Sequence, residues 1–221
     1  MKLGMSDAYL LNPEIPEGLE SIDVSLVDGL SPELTDLVTV VHGDHDLFEI
    51  PIVPWPVSGN RPLDPDTGAC AGVTEGWFSC NWLEGRLVGQ NDAVEGKYVI
   101  GFAADGPSEA PTSVDLWHMN YHPDSGQLFY SAERAPFIVP VIPAGEDPDL
   151  SKIKGIYCDG SYGLCLLPGV WHEGAFPIGG SGRFFTRQGR VHGRVSVDLG
   201  KEFGCLLRVP LKIFKEKTKL F

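Results

Sequence analysis

The chain has 221 residues, 43% of them hydrophobic, with 17 Lys plus Arg against 30 Asp plus Glu and a formal net charge of −13; that supplies one ordinary core and excludes a disordered chain. So acidic a protein is a poor match for nucleic acid or an anionic membrane surface, because both attract basic faces. The 5 dispersed cysteines form no CxxC pair, no run approaches the ~20 apolar residues of a membrane span, and no signal segment opens the chain, so a cytoplasmic protein with reduced thiols is expected. Residues 1–20 read as a peripheral N-terminal extension. Beyond them, 27 glycines and 18 prolines punctuate the chain roughly every ten residues, which leaves little room for long helices. Ser31 before Pro32 and Glu33 is a helix start signal and predicts a short helix over 31–38. Short β-type runs are predicted at 37–42, 48–53, 78–82, 98–102, 127–130, 137–142, 155–158, 163–167, 182–186, 191–197 and 205–209, with one helical turn at 149–153. The stretch 54–76 reads as a long structured loop of the kind that covers a site. Residues 21–110 thus supply N-terminal strands and a lid loop, 111–210 a core with the motifs, and 211–221 a tail. In that tail Leu211, Ile213 and Phe214 alternate with solvated lysines. Many short strands predict an all-β sandwich or barrel.

Two blocks carry the chemistry. Residues 115–130 hold His118, Asn120, His122, Gln127 and Tyr130, and residues 167–174 hold Pro168, Gly169, Trp171, His172 and Glu173. Side chains two apart on a strand share a face, so Asn120 and His122 are expected to point into one interior, joined by His118 if the strand is regular. Gln127 comes from the next strand, and the Pro168-Gly169 turn would deliver His172 from the opposite side. Imidazole titrates near neutrality, which makes His122 and His172 the candidates for acid–base or metal duty. Asn120 and Gln127 are uncharged and orient by hydrogen bonds or act as weak oxygen ligands. A divalent metal would take His118, His122, Gln127 and His172, a set poorer than three imidazoles and a carboxylate. The same alternation predicts that Glu173 faces out if His172 faces in. Trp117, Tyr121, Phe129, Tyr130 and Trp171 read as walls of the barrel, and His42, His45 and His192 as ordinary turn or packing histidines.

These blocks resemble the two motifs of the cupin superfamily and, more closely, the ureidoglycolate lyase (ureidoglycolate hydrolase) family. The resemblance runs through His122-Pro123 to Gln127-Leu128-Phe129, Pro136-Phe137-Ile138-Val139-Pro140-Val141, Glu146-Asp147-Pro148-Asp149-Leu150-Ser151 and Gly169-Val170-Trp171-His172. Two departures stand out: the family commonly has a second His after Trp-His, where this chain has Glu173, and a Tyr-His pair where it has Leu166-Leu167. The resemblance implies an all-β cupin-type double-stranded β-helix barrel with few short helices. It further implies a cytoplasmic carbon–nitrogen lyase that splits ureidoglycolate into glyoxylate and urea in allantoin and purine degradation. His122, His172 and Gln127 would be catalytic, Asn120, Tyr130, Arg134 and Trp171 would bind a small anionic ureide or keto acid, and a divalent metal ion is a candidate cofactor. Open strand edges suggest a homodimer. A metal-dependent isomerase or dioxygenase acting on a small carboxylate, and a non-enzymatic ligand-binding barrel, are the competing readings. The acidic shell repels a carboxylate, so the lyase reading requires Arg134, or one of Arg183, Arg187, Arg190 and Arg194, at the cavity.

Overall fold

The computed structural model describes residues 4–54, 61–65, 67–70, 74–108 and 111–214. Their strands lie mainly in two sheets that hide one face of each against the other. The larger sheet runs in the order Glu20–Asp23, Cys205–Pro210, Ser113–Leu116, Gly96–Ala103, Arg86–Asn91, Thr74–Leu83, Ser181–Gln188, Gln127–Ser131, Gly163–Leu166 and Val38–Val41. The smaller runs Val195–Asp198, His118–Tyr121, Trp171–His172, Phe137–Ile142, Lys154–Cys158 and Leu26–Asp28, with Phe176–Pro177 also on Phe137–Ile142. Among the described residues the only α-helices are the single turns Asp7–Leu11 and Leu199–Phe203. This is the all-β architecture that the short punctuated runs predict, and it is consistent with the cupin-type fold that the resemblance implies. Phe78, Phe129, Phe137, Phe176 and Phe184 fill the core, each ring contributing about 1.5–3 kcal/mol by burial.

Strands from the N-terminal half stand in the middle of the larger sheet, between Ser181–Gln188 and Ser113–Leu116. Residues on both sides of position 110 therefore share one ladder. The strand Arg86–Asn91 is absent from the sequence expectations. It is entered through Glu84 and Gly85 at φ 50° and 77°, the left-handed pair that suits a two-residue hairpin turn.

Several expectations are corrected. The run 48–53 makes only an isolated bridge, Ile52 to Ser125; Phe48 and Ile50 instead cover Val41, Leu128 and Cys165 on the outer face of the larger sheet. The run 191–197 divides at Gly193 into Val191–His192, paired with Ala69–Cys70, and Val195–Asp198, paired with His118–Tyr121. The helix expected over 31–38 is the 3-10 turn Pro32–Leu34, and that over 149–153 is the turn Leu150–Lys152. The N-terminal segment is docked, since Met5 and Leu10 are buried with Trp117. Arg61 and Asp64 of the 54–76 loop are buried too. Residues 55–60, 66 and 71–73 of that loop, and 215–221 of the tail, lie outside the described residues.

Candidate active site

A small cavity opens between the sheets, lined among others by Tyr98, His118, Asn120, His122, Gln127, Phe129, His172, Glu173, His192 and Arg194. The strand His118–Tyr121 presents His118 and Asn120 inward, with His122 just beyond it, as a two-residue period requires. Gln127 and Phe129 enter from Gln127–Ser131 on the facing sheet. The same period carries Tyr130 away from the cavity, where it stacks on His45 at 4.6 Å. Trp171 is likewise one step out of phase with His172: it packs edge-on against Tyr121, and its Nε1 donates to the Gly145 carbonyl at 3.0 Å. Neither residue lines the cavity, and Arg134 sits exposed on a turn at φ 52°. These three substrate-binding expectations thus fall on side chains that face elsewhere.

Glu173 goes the other way. It is fully buried and lines the cavity beside His172, against the expectation that it faces out. The reason is a bulge: His172 pairs with Val141 and Phe176 with Ile138, so four residue steps oppose three. The extra residue breaks the alternation and re-aims the side chain.

Two polar clusters result. In the first, His122 Nδ1 lies 2.8 Å from the Gly193 carbonyl and His172 Nδ1 lies 2.7 Å from that of Val170. A carbonyl only accepts, so each Nδ1 carries the hydrogen. Burial pulls both imidazoles below their usual range, His172 to about 3 with His122 adding to the effect. Both rings are therefore neutral and each Nε2 is a bare lone pair. The Oε1 position of the Gln127 amide lies 2.9 Å from His122 Nε2 and 2.7 Å from His172 Nε2. Amide oxygen and nitrogen are alike in shape, and the hydrogen count assigns the NH2 to that position, one hydrogen for each ring. The other end of the amide, 3.1 Å from Thr186 Oγ1, then accepts from that hydroxyl. Asn120 Nδ2 donates to the His172 carbonyl at 3.3 Å.

The second cluster is charged. His118 Nδ1 lies 2.5 Å from Glu173 Oε2, and its Nε2 lies 3.2 Å from Ser196 Oγ. Ser196 gives its own hydrogen to Asp64 Oδ2, a carboxylate that also accepts from the Met5 backbone N–H and from Arg194 Nε. Ser196 can then only accept from His118, so both ring nitrogens of His118 donate and the ring is an imidazolium. Glu173 Oε1 accepts from the Tyr98 hydroxyl at 2.6 Å and from the Gly174 N–H at 2.8 Å. Burial alone would raise the Glu173 carboxyl. The His118 charge and these hydrogen bonds outweigh it and hold the group below the usual carboxylate range. Burial and the same carboxylate push the Tyr98 hydroxyl well up, so it stays protonated.

Do these donors suit a divalent metal? Both nitrogens of His118 are committed, and Glu173, the only carboxylate lining the cavity among the described residues, is saturated by three donors. Of the four expected ligands two neutral imidazoles and an amide are left; His192 also lines the cavity, its Nδ1 3.1 Å from Gln188 Nε2, but none of these groups is anionic, and the set fits a resident divalent ion less well than three imidazoles and a carboxylate. The hydrogen-bonded network, by contrast, leaves none of these groups unmatched.

Of the arginines considered for the cavity, Arg183 lies over Trp77 at 4.1 Å and Arg187 pairs with Glu75 at 2.8 Å. Arg190 lines an outer groove with Glu49. Arg194 lines the cavity itself. Tyr98, Asp64 and Ser196 escaped the sequence reading because no motif surrounds them, and His192, expected to be an ordinary turn or packing histidine, lines the cavity. For Glu173 the sequence signal was its position next to His172, misread through the alternation.

A family model described as ureidoglycolate lyase matches residues 86–199. Two proteins named "Ureidoglycolate lyase", from Burkholderia mallei strains NCTC 10229 and NCTC 10247, are each 32% identical to this chain over 84 residues, 38% of this chain and 48% of theirs. The chain spans about half the length of the curated relatives it matches.

Proposed function

The chain belongs to the ureidoglycolate lyase family, and from that premise we propose that it breaks the C–N bond of ureidoglycolate to release glyoxylate and urea. The observation that carries the reading is the pair of neutral imidazoles, His122 and His172, whose bare Nε2 atoms converge on Gln127 inside the cavity. Ureidoglycolate is a carbinol-urea bearing a carboxylate. The substrate hydroxyl displaces the Gln127 amide from one Nε2, the freed lone pair takes the hydroxyl proton, the C=O of glyoxylate forms, and the electron pair of the C–N bond leaves with the urea nitrogen. The imidazolium returns the proton to that nitrogen, so the ring ends as it began. Depressed basicity keeps the imidazoles free of protons at neutral pH and ready for the first step. Gln127 holds both rings in register. Arg194 supplies the guanidinium for the carboxylate, which meets the requirement set by the acidic shell. We place the reaction in cytoplasmic purine breakdown, and the protein as a homodimer joined through open edges such as Val38–Val41 or Leu26–Asp28.

The test is to incubate the purified protein with ureidoglycolate and measure glyoxylate and urea. We expect turnover that falls by about 10²–10⁴-fold in His122→Ala or His172→Ala. Product formation no faster than the uncatalysed background overturns the reading. Stoichiometric Ni, Mn or Fe in the protein, lost in the double His variant, would favour a metal-dependent cupin reaction instead.

A further inference from the structure

The charged cluster does more than fill space. The Tyr98 hydroxyl has one hydrogen, and Glu173 Oε1 takes it at 2.6 Å. Glu173 cannot return a hydrogen, because every neighbour on its two oxygens donates: Tyr98, the Gly174 N–H and His118. His118 in turn is held by Ser196, whose hydrogen is tied to Asp64, and Asp64 is held by Arg194. The direction of every hydrogen along this chain is fixed. Tyr98 and Glu173 both line the cavity, and that stretch of wall offers only lone pairs.

We propose that Tyr98 is a specificity-determining residue, whose oxygen, locked as an acceptor by Glu173 and His118, selects the N–H groups of a ureido substrate over acyl or plain hydroxy-acid analogues. The inference rests on the ureide half of the function proposed above. An analogue that replaces the terminal NH2 by a methyl group buries the Tyr98 oxygen with nothing to accept from. Sites of this kind reject such analogues strongly, because the unmatched polar group loses its water without replacement. Glu173 and His118 are positioning residues here, acting through Tyr98.

The experiment uses two unreactive probes, N-carbamoylglycine and N-acetylglycine, which differ in that NH2. Calorimetric titration of the full chain should show the carbamoyl compound bound about 10- to 100-fold more tightly. In Tyr98→Phe the preference should shrink to within about threefold, chiefly through weaker binding of the carbamoyl compound. The His118→Leu/Glu173→Leu double variant removes the acceptor and its counter-charge together, frees the hydroxyl to turn its hydrogen inward and should shrink the preference too, which provides a second variant should Tyr98→Phe fail to fold. With ureidoglycolate as substrate, Tyr98→Phe should raise KM while kcat stays within a few-fold. Equal binding of the probes by the wild type, binding of neither, or a folded Tyr98→Phe that keeps the preference overturns the proposal. Preference without turnover sinks the lyase reading and leaves this one standing; turnover without preference does the reverse.

Discussion

The two buried clusters of the cavity are built from the same residue types and behave as opposites. Around Gln127, His122 and His172 are neutral, each pinned through Nδ1 by a backbone carbonyl. Around Glu173, His118 is charged because carboxylate and hydroxyl acceptors face both its nitrogens. These three of the histidines lining one cavity thus hold two charge states, decided by what sits opposite Nδ1. Environments that push like groups apart are how one site offers proton-accepting and charge-fixing groups together. The difference also predicts how each cluster fails.

The largest effect is expected from His118→Leu, which strands the Glu173 carboxylate in the interior without its counter-charge. Breaking such a pair costs about 3–5 kcal/mol, whereas replacing both members by apolar residues costs far less. Urea unfolding should therefore show His118→Leu/Glu173→Leu to be more stable than His118→Leu alone. A double variant no better than the single would erase the distinction between the clusters. Acid should separate them next. His172 sits at about 3 when folded against an ordinary 6.5, so the unfolded chain binds its proton first, and stability falls as pH drops below about 6.5, by about 2 kcal/mol at pH 5, levelling near pH 3. Glu173 is held below its ordinary value, so its contribution is fully present above about pH 4.5 and is lost only as pH falls through the lower folded value. Unfolding curves of His172→Gln between pH 7 and 5 should be flatter than those of the wild type; an unchanged slope would mean that this ring is not kept neutral. Gln127→Leu removes both hydrogens from the rings and the acceptor from Thr186, and should cost about 1–3 kcal/mol in the same assay. Smallest of all is Glu75→Gln on the outer face. Its partner Arg187 also donates to the Phe48 carbonyl at 2.7 Å, so the change should stay below about 0.5 kcal/mol.

Which cluster was legible in the sequence follows from how each is built. The neutral one rests on strand alternation and one adjacent strand, so Asn120, His122, Gln127 and His172 could be placed from spacing alone. Applied consistently, the same rule would have turned Tyr130 and Trp171 outward, since each is an odd number of steps from an inward residue. The charged cluster was not legible because its members come from distant segments: Asp64 from a loop, Tyr98 from a strand of the N-terminal half, and Ser196 and Arg194 from the return strand and its approach. Glu173 depends on a bulge visible only in the pairing of two other strands. For the fold, ten of the eleven predicted β runs overlap strands, because glycine and proline mark their ends. The run 48–53 failed because its apolar residues cover the outside of a sheet without joining it. Both α-helical turns carried unread signals: Ser6 accepts from the Tyr9 N–H, and Asp198 and Gly204 close the two ends of Leu199–Phe203, Gly204 at φ 68°.

Gly174 gives the bulge a further meaning. A Cβ at this position would lie 2.4 Å from the Phe78 ring, and the same residue turns its N–H onto the Glu173 carboxylate. Acid and glycine form one inheritable unit. A chain that acquired the Glu without the Gly would collide with Phe78, and one with His at position 173 would lack the carboxylate that takes the Tyr98 hydrogen and balances His118. Trp-His-Glu-Gly can therefore serve as a marker for relatives that share this charged cavity wall.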